Sequence, residues 1–127
     1  MNTSPFGRIR LAQMEVLPGR PAENTARMIS WIQSAARDKV SIIIFPEMSI
    51  PGYLIGDEWE HEAFLRECEE CGNEIRKAAG NITAIFGNVG LDWKRRNEDG
   101  RVRKYNALFV AENRRFIPPA NSPYNFV

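Results

Sequence analysis

Apolar residues recur along this chain with two different periods. Arg8 to Val16 (RIRLAQMEV) alternates, which predicts a strand with Ile9, Leu11 and Gln13 on one face and Ala12 and Met14 on the other. Leu17-Pro18-Gly19-Arg20-Pro21 is rich in breakers and reads as a loop. Beyond it Met28, Ile29, Ile32, Ala35 and Ala36 fall at helical spacing, predicting a helix capped by Asn24 or Thr25 and ending near Arg37. Val40 to Phe45 is a short β-branched run, apolar on both faces, which fits a central strand covered on both sides. Strand, helix and strand in that order predict a right-handed βαβ unit.

The same reading continues downstream. A second helix is expected from Trp59 to about Ala79, with Ala63, Phe64, Cys68, Cys71, Ile75, Ala78 and Ala79 as its buried stripe and Gly80-Asn81 as its stop. Ile82 to Gly87 predicts a third strand. Val89 to Trp93 and Val102 to Ala111 predict the arms of an antiparallel hairpin around Asn97-Glu98-Asp99-Gly100. A turn at Glu112 to Arg115 leads to a short Phe116-Ile117 segment. The expected class is α/β, a mixed sheet with helices on one face. The tail PPANSPYNFV has no period, and its apolar end implies that the chain is cut just before a further element.

Composition narrows the function classes. The 127 residues suit one domain, and 43% apolar with 26% charged residues is ordinary for a globular protein. Net charge is +1, from 17 basic and 16 acidic residues, so nothing favours nucleic acid or an anionic membrane surface as partner. No apolar run approaches the roughly 18 residues of a membrane span. The start, MNTSPFGRIR, lacks the apolar core of a secretory signal, and two cysteines make no disulfide framework. The expected location is the cytoplasm.

Four groups of residues are candidates for chemistry. Glu47 follows a predicted strand, where open α/β sheets collect ligands, and Pro46 stiffens the turn that displays it. A carboxylate so placed suits a general base, although spacing alone favours an ordinary loop carboxylate. Cys68-Glu69-Glu70-Cys71 has the spacing of a redox or zinc pair, with His61 upstream. Its acidic neighbours oppose a thiolate, zinc lacks a fourth ligand, and packing of both thiols in the helix stripe is the better reading. Phe86-Gly87-Asn88-Val89-Gly90 has two glycines and no following helix, so it fails as a dinucleotide loop. Lys94-Arg95-Arg96 with Arg101, Arg103 and Lys104 reads as solvated, gatekeeping charge on the hairpin.

Several of these pieces together resemble the N-terminal part of the nitrilase, or carbon–nitrogen hydrolase, superfamily. They are Ile9 to Gln13, Gly19 with Asn24, Phe45-Pro46-Glu47 with Gly52-Tyr53, Gly87, and Tyr105-Asn106-Ala107-Leu108-Phe109-Val110. Leu54 to Trp59 and Ile117 to Tyr124 are most similar to the glutaminase domains of glutamine-dependent NAD synthetases. Arg20 departs from the family, which often has an acidic residue after that glycine.

The resemblance implies the first half of a four-layer αββα sandwich that assembles as a homo-oligomer. It implies a Glu–Lys–Cys site acting on glutamine or another small amide, with ammonia passed to NAD synthesis in a separate ATP-using domain. Only Glu47 carries over as catalytic. Tyr53 carries over to the substrate pocket, and no metal or cofactor is expected in this chain. The lysine and cysteine would lie beyond Val127, so residues 1–127 form a partial domain expected to be inactive alone. The alternatives are a fragment of another amidase of the superfamily and a non-catalytic scaffold.

Overall fold

A computed structural model describes residues 7–118. Residues 1–6 and 119–127, and so nearly all of the tail read above, lie outside the described residues. The chain forms β1 (Ile9–Leu11), α1 (Pro21–Arg37), β2 (Ile42–Ile44), a 3-10 turn (Gly56–Glu60), α2 (Glu62–Ala78), β3 (Thr83–Arg96), β4 (Val102–Glu112) and β5 (Arg115–Phe116). All five strands make one sheet in chain order. β1, β2 and β3 are parallel, and β4 and β5 are antiparallel to their neighbours.

Both crossovers step in the same direction across the sheet, so their right-handed sense sets α1 and α2 on one face. That face holds the core. Met28, Ile32 and Ala35 of α1 and Phe64, Leu65, Cys68 and Ile75 of α2 are buried with Ile43, Ala84, Phe86 and Ala111 of the sheet. Each fully buried Ile, Leu or Phe stabilises the fold by roughly 1.5–3 kcal/mol.

The opposite face has no helix or strand over it among the described residues, and the turn through Glu47 and Met48 covers it at Gly87. Strand register aligns Leu11, Ile44, Ile85 and Val110 in a row across four strands on that face. Ile9 and Leu11 are 61% and 71% exposed, and Leu108 joins them beyond Gly87. A mixed α/β layer with helices on one side is the class expected.

Several element bounds differ from expectation, the principal ones for local reasons. β1 stops at Leu11 because Gln13 and Met14 turn back to bond Leu11 O and Ala12 O. α1 starts at Pro21, earlier than Asn24, because proline at a first helical position loses no N–H that the helix needs. Trp59 belongs to the 3-10 turn, and α2 begins after it at Glu62. The third strand and the first hairpin arm are one continuous strand of 14 residues, irregular only between Asp92 and Arg96. Gly80 is not a left-handed stop either: Arg114 N–H and Asn113 N–H donate to Ala79 O and Gly80 O, so the β4–β5 turn closes the end of α2.

Candidate functional site

Glu47 is displayed by a turn that several elements hold from below. Phe45 N–H makes a last bond to Ile85 O (2.8 Å), and Pro46, with no N–H, ends the ladder. Met48 then takes a left-handed backbone (φ 50°) while its side chain is buried. Ser49 is fully buried; its Oγ donates to Gly87 O and accepts from Gly87 N–H, both at 3.2 Å. Ile50 N–H donates to the same Gly87 carbonyl.

The far side of the turn is braced from α1. The buried Asn24 amide accepts from Leu17 N–H (2.8 Å) and donates to Leu17 O (2.8 Å) and Ile50 O (2.9 Å). One side chain therefore ties the β1–α1 loop to the Glu47 turn, with its polar groups fully satisfied. Arg20, the family departure, sits at the cap position of α1 and pairs with Glu23 at 2.7 Å.

Two donors converge on the exposed carboxylate. The Tyr53 hydroxyl and the Asn106 side-chain amide both hydrogen-bond Glu47, and they hold its carboxyl below the ordinary carboxylate range. Partial burial and the neighbouring carboxylate push the Tyr53 phenol up to about 12. Beside Asn106 opens a pocket of about 330 Å³ lined by Met48, Trp59, Val89, Lys104 and Tyr105. The set places an ionised carboxylate, held by two neutral donors, beside a small pocket.

Glu47 and Tyr53 thus come together, while the other sequence candidates do not join them. Cys68 and Cys71 are buried in the α2 stripe, and burial, then Cys71 and Glu67, push the Cys68 thiol up to about 12. Cys68 O instead receives the buried Asn88 amide (2.9 Å). His61 lies exposed at the start of α2, and no cluster of three metal-binding side chains forms among the described residues. The hairpin cations are less idle than expected: Arg96 pairs with Glu62 (2.8 Å) and Arg101 with Glu60, latching the hairpin to the 3-10 turn and α2. Arg66 stacks over Trp93 at 4.1 Å and strengthens the same contact. Lys104 lines the pocket, with its ammonium on Val102 O (3.0 Å).

Asn106 is the residue that sequence reasoning missed. It stands in the Tyr105-to-Val110 piece of the family resemblance on the hairpin, where the sequence alone assigns it no role of its own. A polar residue in an otherwise apolar stretch of a strand was the available signal.

The sequence and the mixed α/β layer that carries this site have counterparts among known proteins. The carbon-nitrogen hydrolase family profile matches residues 8–117, and the chain belongs to that family. Among curated relatives, it is 38% identical over 82 residues to a glutamine-dependent NAD(+) synthetase of Xanthomonas campestris pv. campestris, covering 63% of this chain and 15% of that protein. A protein of the same name from Xylella fastidiosa is 34% identical over 86 residues, 66% of this chain and 16% of its own length. The chain therefore spans about a sixth of these relatives. The fold matches the solved glutamine-dependent NAD+ synthetase of Acinetobacter baumannii with TM-score 0.73 at 23% identity, covering 94% of this chain and 22% of that one. It also matches an amidase from Nesterenkonia sp. with TM-score 0.72 at 16% identity, covering 87% of this chain and 40% of the amidase.

Proposed function

We propose that this chain is the N-terminal part of a glutamine amidohydrolase domain whose ammonia serves NAD synthesis. The observation that carries the reading is Glu47, held ionised by Tyr53 and Asn106 at a strand end, in a chain of carbon–nitrogen hydrolase sequence. The names of the Xanthomonas and Xylella relatives supply the glutamine and NAD part of the proposal.

In this reading Glu47 is the base of a Glu–Lys–Cys site whose lysine and cysteine come from segments beyond this chain. The carboxylate takes the proton of the attacking thiol and returns it to the departing nitrogen, so ammonia leaves. It then takes a proton from water, which breaks the thioester to give glutamate. The lysine stabilises the oxyanion, and Tyr53 lines the amide pocket. ATP would serve a separate synthetase domain, not this layer. The whole protein would work in the cytoplasm as a homo-oligomer, and residues 1–127 alone would not turn over glutamine.

The test is the complete reading frame containing this chain, assayed for glutamate release from glutamine. Glu47→Gln should lower the rate by about 10²–10⁴-fold, the usual contribution of a positioned acid–base group. Full glutamine hydrolysis by that variant would overturn the role given to Glu47. The likeness to the Nesterenkonia amidase, a mutant of which was solved in complex with butyramide, raises a second reading, an amidase for simple amides; turnover of butyramide in preference to glutamine would select it.

A further inference from the structure

Glu47 is met by two donors, and they are not equivalent. Tyr53 stands six residues along the same loop, whereas Asn106 comes from β4, 59 residues away in sequence. Asn106 pairs with Val89 across the β3–β4 ladder, so its backbone is fixed by the longest paired region of the sheet. Glu47 makes no ion pair among the described residues. Its partner on the sheet is a neutral amide.

That choice has a chemical consequence. A lysine or arginine offers only donors and can follow a carboxylate only while it is ionised. An asparagine carries an NH₂ donor and a C=O acceptor on one terminal group, and its last torsion is broad and roughly two-fold. Against ionised Glu47, the amide nitrogen donates. Once a proton has moved to Glu47, forming O–H on the carboxyl and leaving its source as the anion, a half-turn of the amide lets Oδ1 accept from that O–H. No charge need move with it.

We propose that Asn106 is a positioning residue that holds Glu47 in one place through both of its protonation states. The role rests on the reading of Glu47 as an acid–base group. It adds a residue outside the Glu–Lys–Cys set, supplied by a rigid strand rather than by the mobile chemistry of a loop.

The test is a carbon-13 NMR titration of the Glu47 side-chain carboxyl in the 127-residue chain, for wild type, Asn106→Leu, Asn106→Ala, Asn106→Lys and, as a control on an exposed loop, Asn81→Leu. The bond that the amide donates to the carboxylate is charge-assisted and stronger than the one it would accept from the neutral acid, so its loss in the Leu and Ala variants should shift the Glu47 midpoint upward. The lysine variant should shift it downward, and the control should leave it in place. The Leu and Ala substitutions bracket the volume change, so either folded variant decides the matter. A midpoint unmoved in every folded Asn106 variant overturns the proposal. This readout does not depend on hydrolysis: an unmoved midpoint sinks the part played by Asn106 and leaves the base reading standing, whereas glutamine turnover that survives Glu47→Gln in the complete protein sinks the base reading and leaves only the Asn106–Glu47 coupling.

Discussion

Gly87 lies directly beneath Met48: a Cβ added at Gly87 would stand 2.1 Å from Met48 N, and 2.9 Å from the Cα of Glu47. The displayed carboxylate therefore depends on a residue of β3 that has no side chain. The atoms in the way are backbone, which cannot swing aside. The position does not require a left-handed glycine; it requires an absent Cβ.

Gly87→Ala should therefore cost about 1–3 kcal/mol, the usual range for overpacking a tight site. Urea unfolding followed by circular dichroism reads this. The Ser49 bonds to Gly87 should loosen in the same variant, seen as faster exchange of the Gly87-neighbouring amides. A fully stable Ala variant would mean that the turn can lift away from β3.

Asn24→Ala removes the brace between the first loop and the Glu47 turn. Leu17 N–H, Leu17 O and Ile50 O would each lose a partner in a part-buried or buried setting. Leaving such groups unpaired costs about 1–3 kcal/mol. Thermal melts of the Ala variant should show the loss, and Asn24→Asp should restore at most the bond from Leu17 N–H.

Tyr53 and Glu47 predict two pH effects with opposite signs. The Glu47 carboxyl is held below its ordinary value, so its stabilising contribution is present above that value and is lost as pH falls through the folded one. The Tyr53 phenol sits at about 12. Its contribution is intact below the ordinary phenol value of about 10 and is lost as pH rises through the folded value. Tyr53→Phe should remove the alkaline step and move the Glu47 titration upward, both read by ultraviolet and carbon-13 titration.

The uncovered sheet face predicts a surface phenotype. Leu11 and Leu108 are exposed beside Ile44, Ile85 and Val110. The 127-residue chain should bind the dye ANS and self-associate with concentration, as contiguous apolar patches do. Leu11→Glu with Leu108→Glu should reduce both without lowering the melting temperature. Unchanged dye binding would place the sticky surface elsewhere.

How much of this was legible depended on the range of each interaction. Helical and strand periods located every principal element, because burial of one face writes itself into spacing, as at Met28, Ile32 and Ala35. Bounds were less legible where a distant partner sets them. The end of α2 is decided by Asn113 and Arg114, and the continuity of β3 through Gly87 and Gly90 by its pairing with β4. Within the site, Glu47 and Tyr53 share one loop and could be read together, whereas Asn106 is linked to them only by the fold. The hairpin cations looked like solvated charge because Glu60 and Glu62 sit on another element.

The connections of the sheet also set an order of assembly. β3 and β4 are neighbours in sequence and close a short loop, whereas β1, β2 and β3 pair only across entire helices, and contacts of long range are slower to form. Gly87 and Asn106, the two residues between which Glu47 is caught, both belong to that hairpin. During refolding, pulse-labelled hydrogen exchange should protect the amides of Ala107 and Phe109, which face β3, before that of Ile43. The acidic group is then the last piece to arrive, delivered by a late strand into a socket that was built without it.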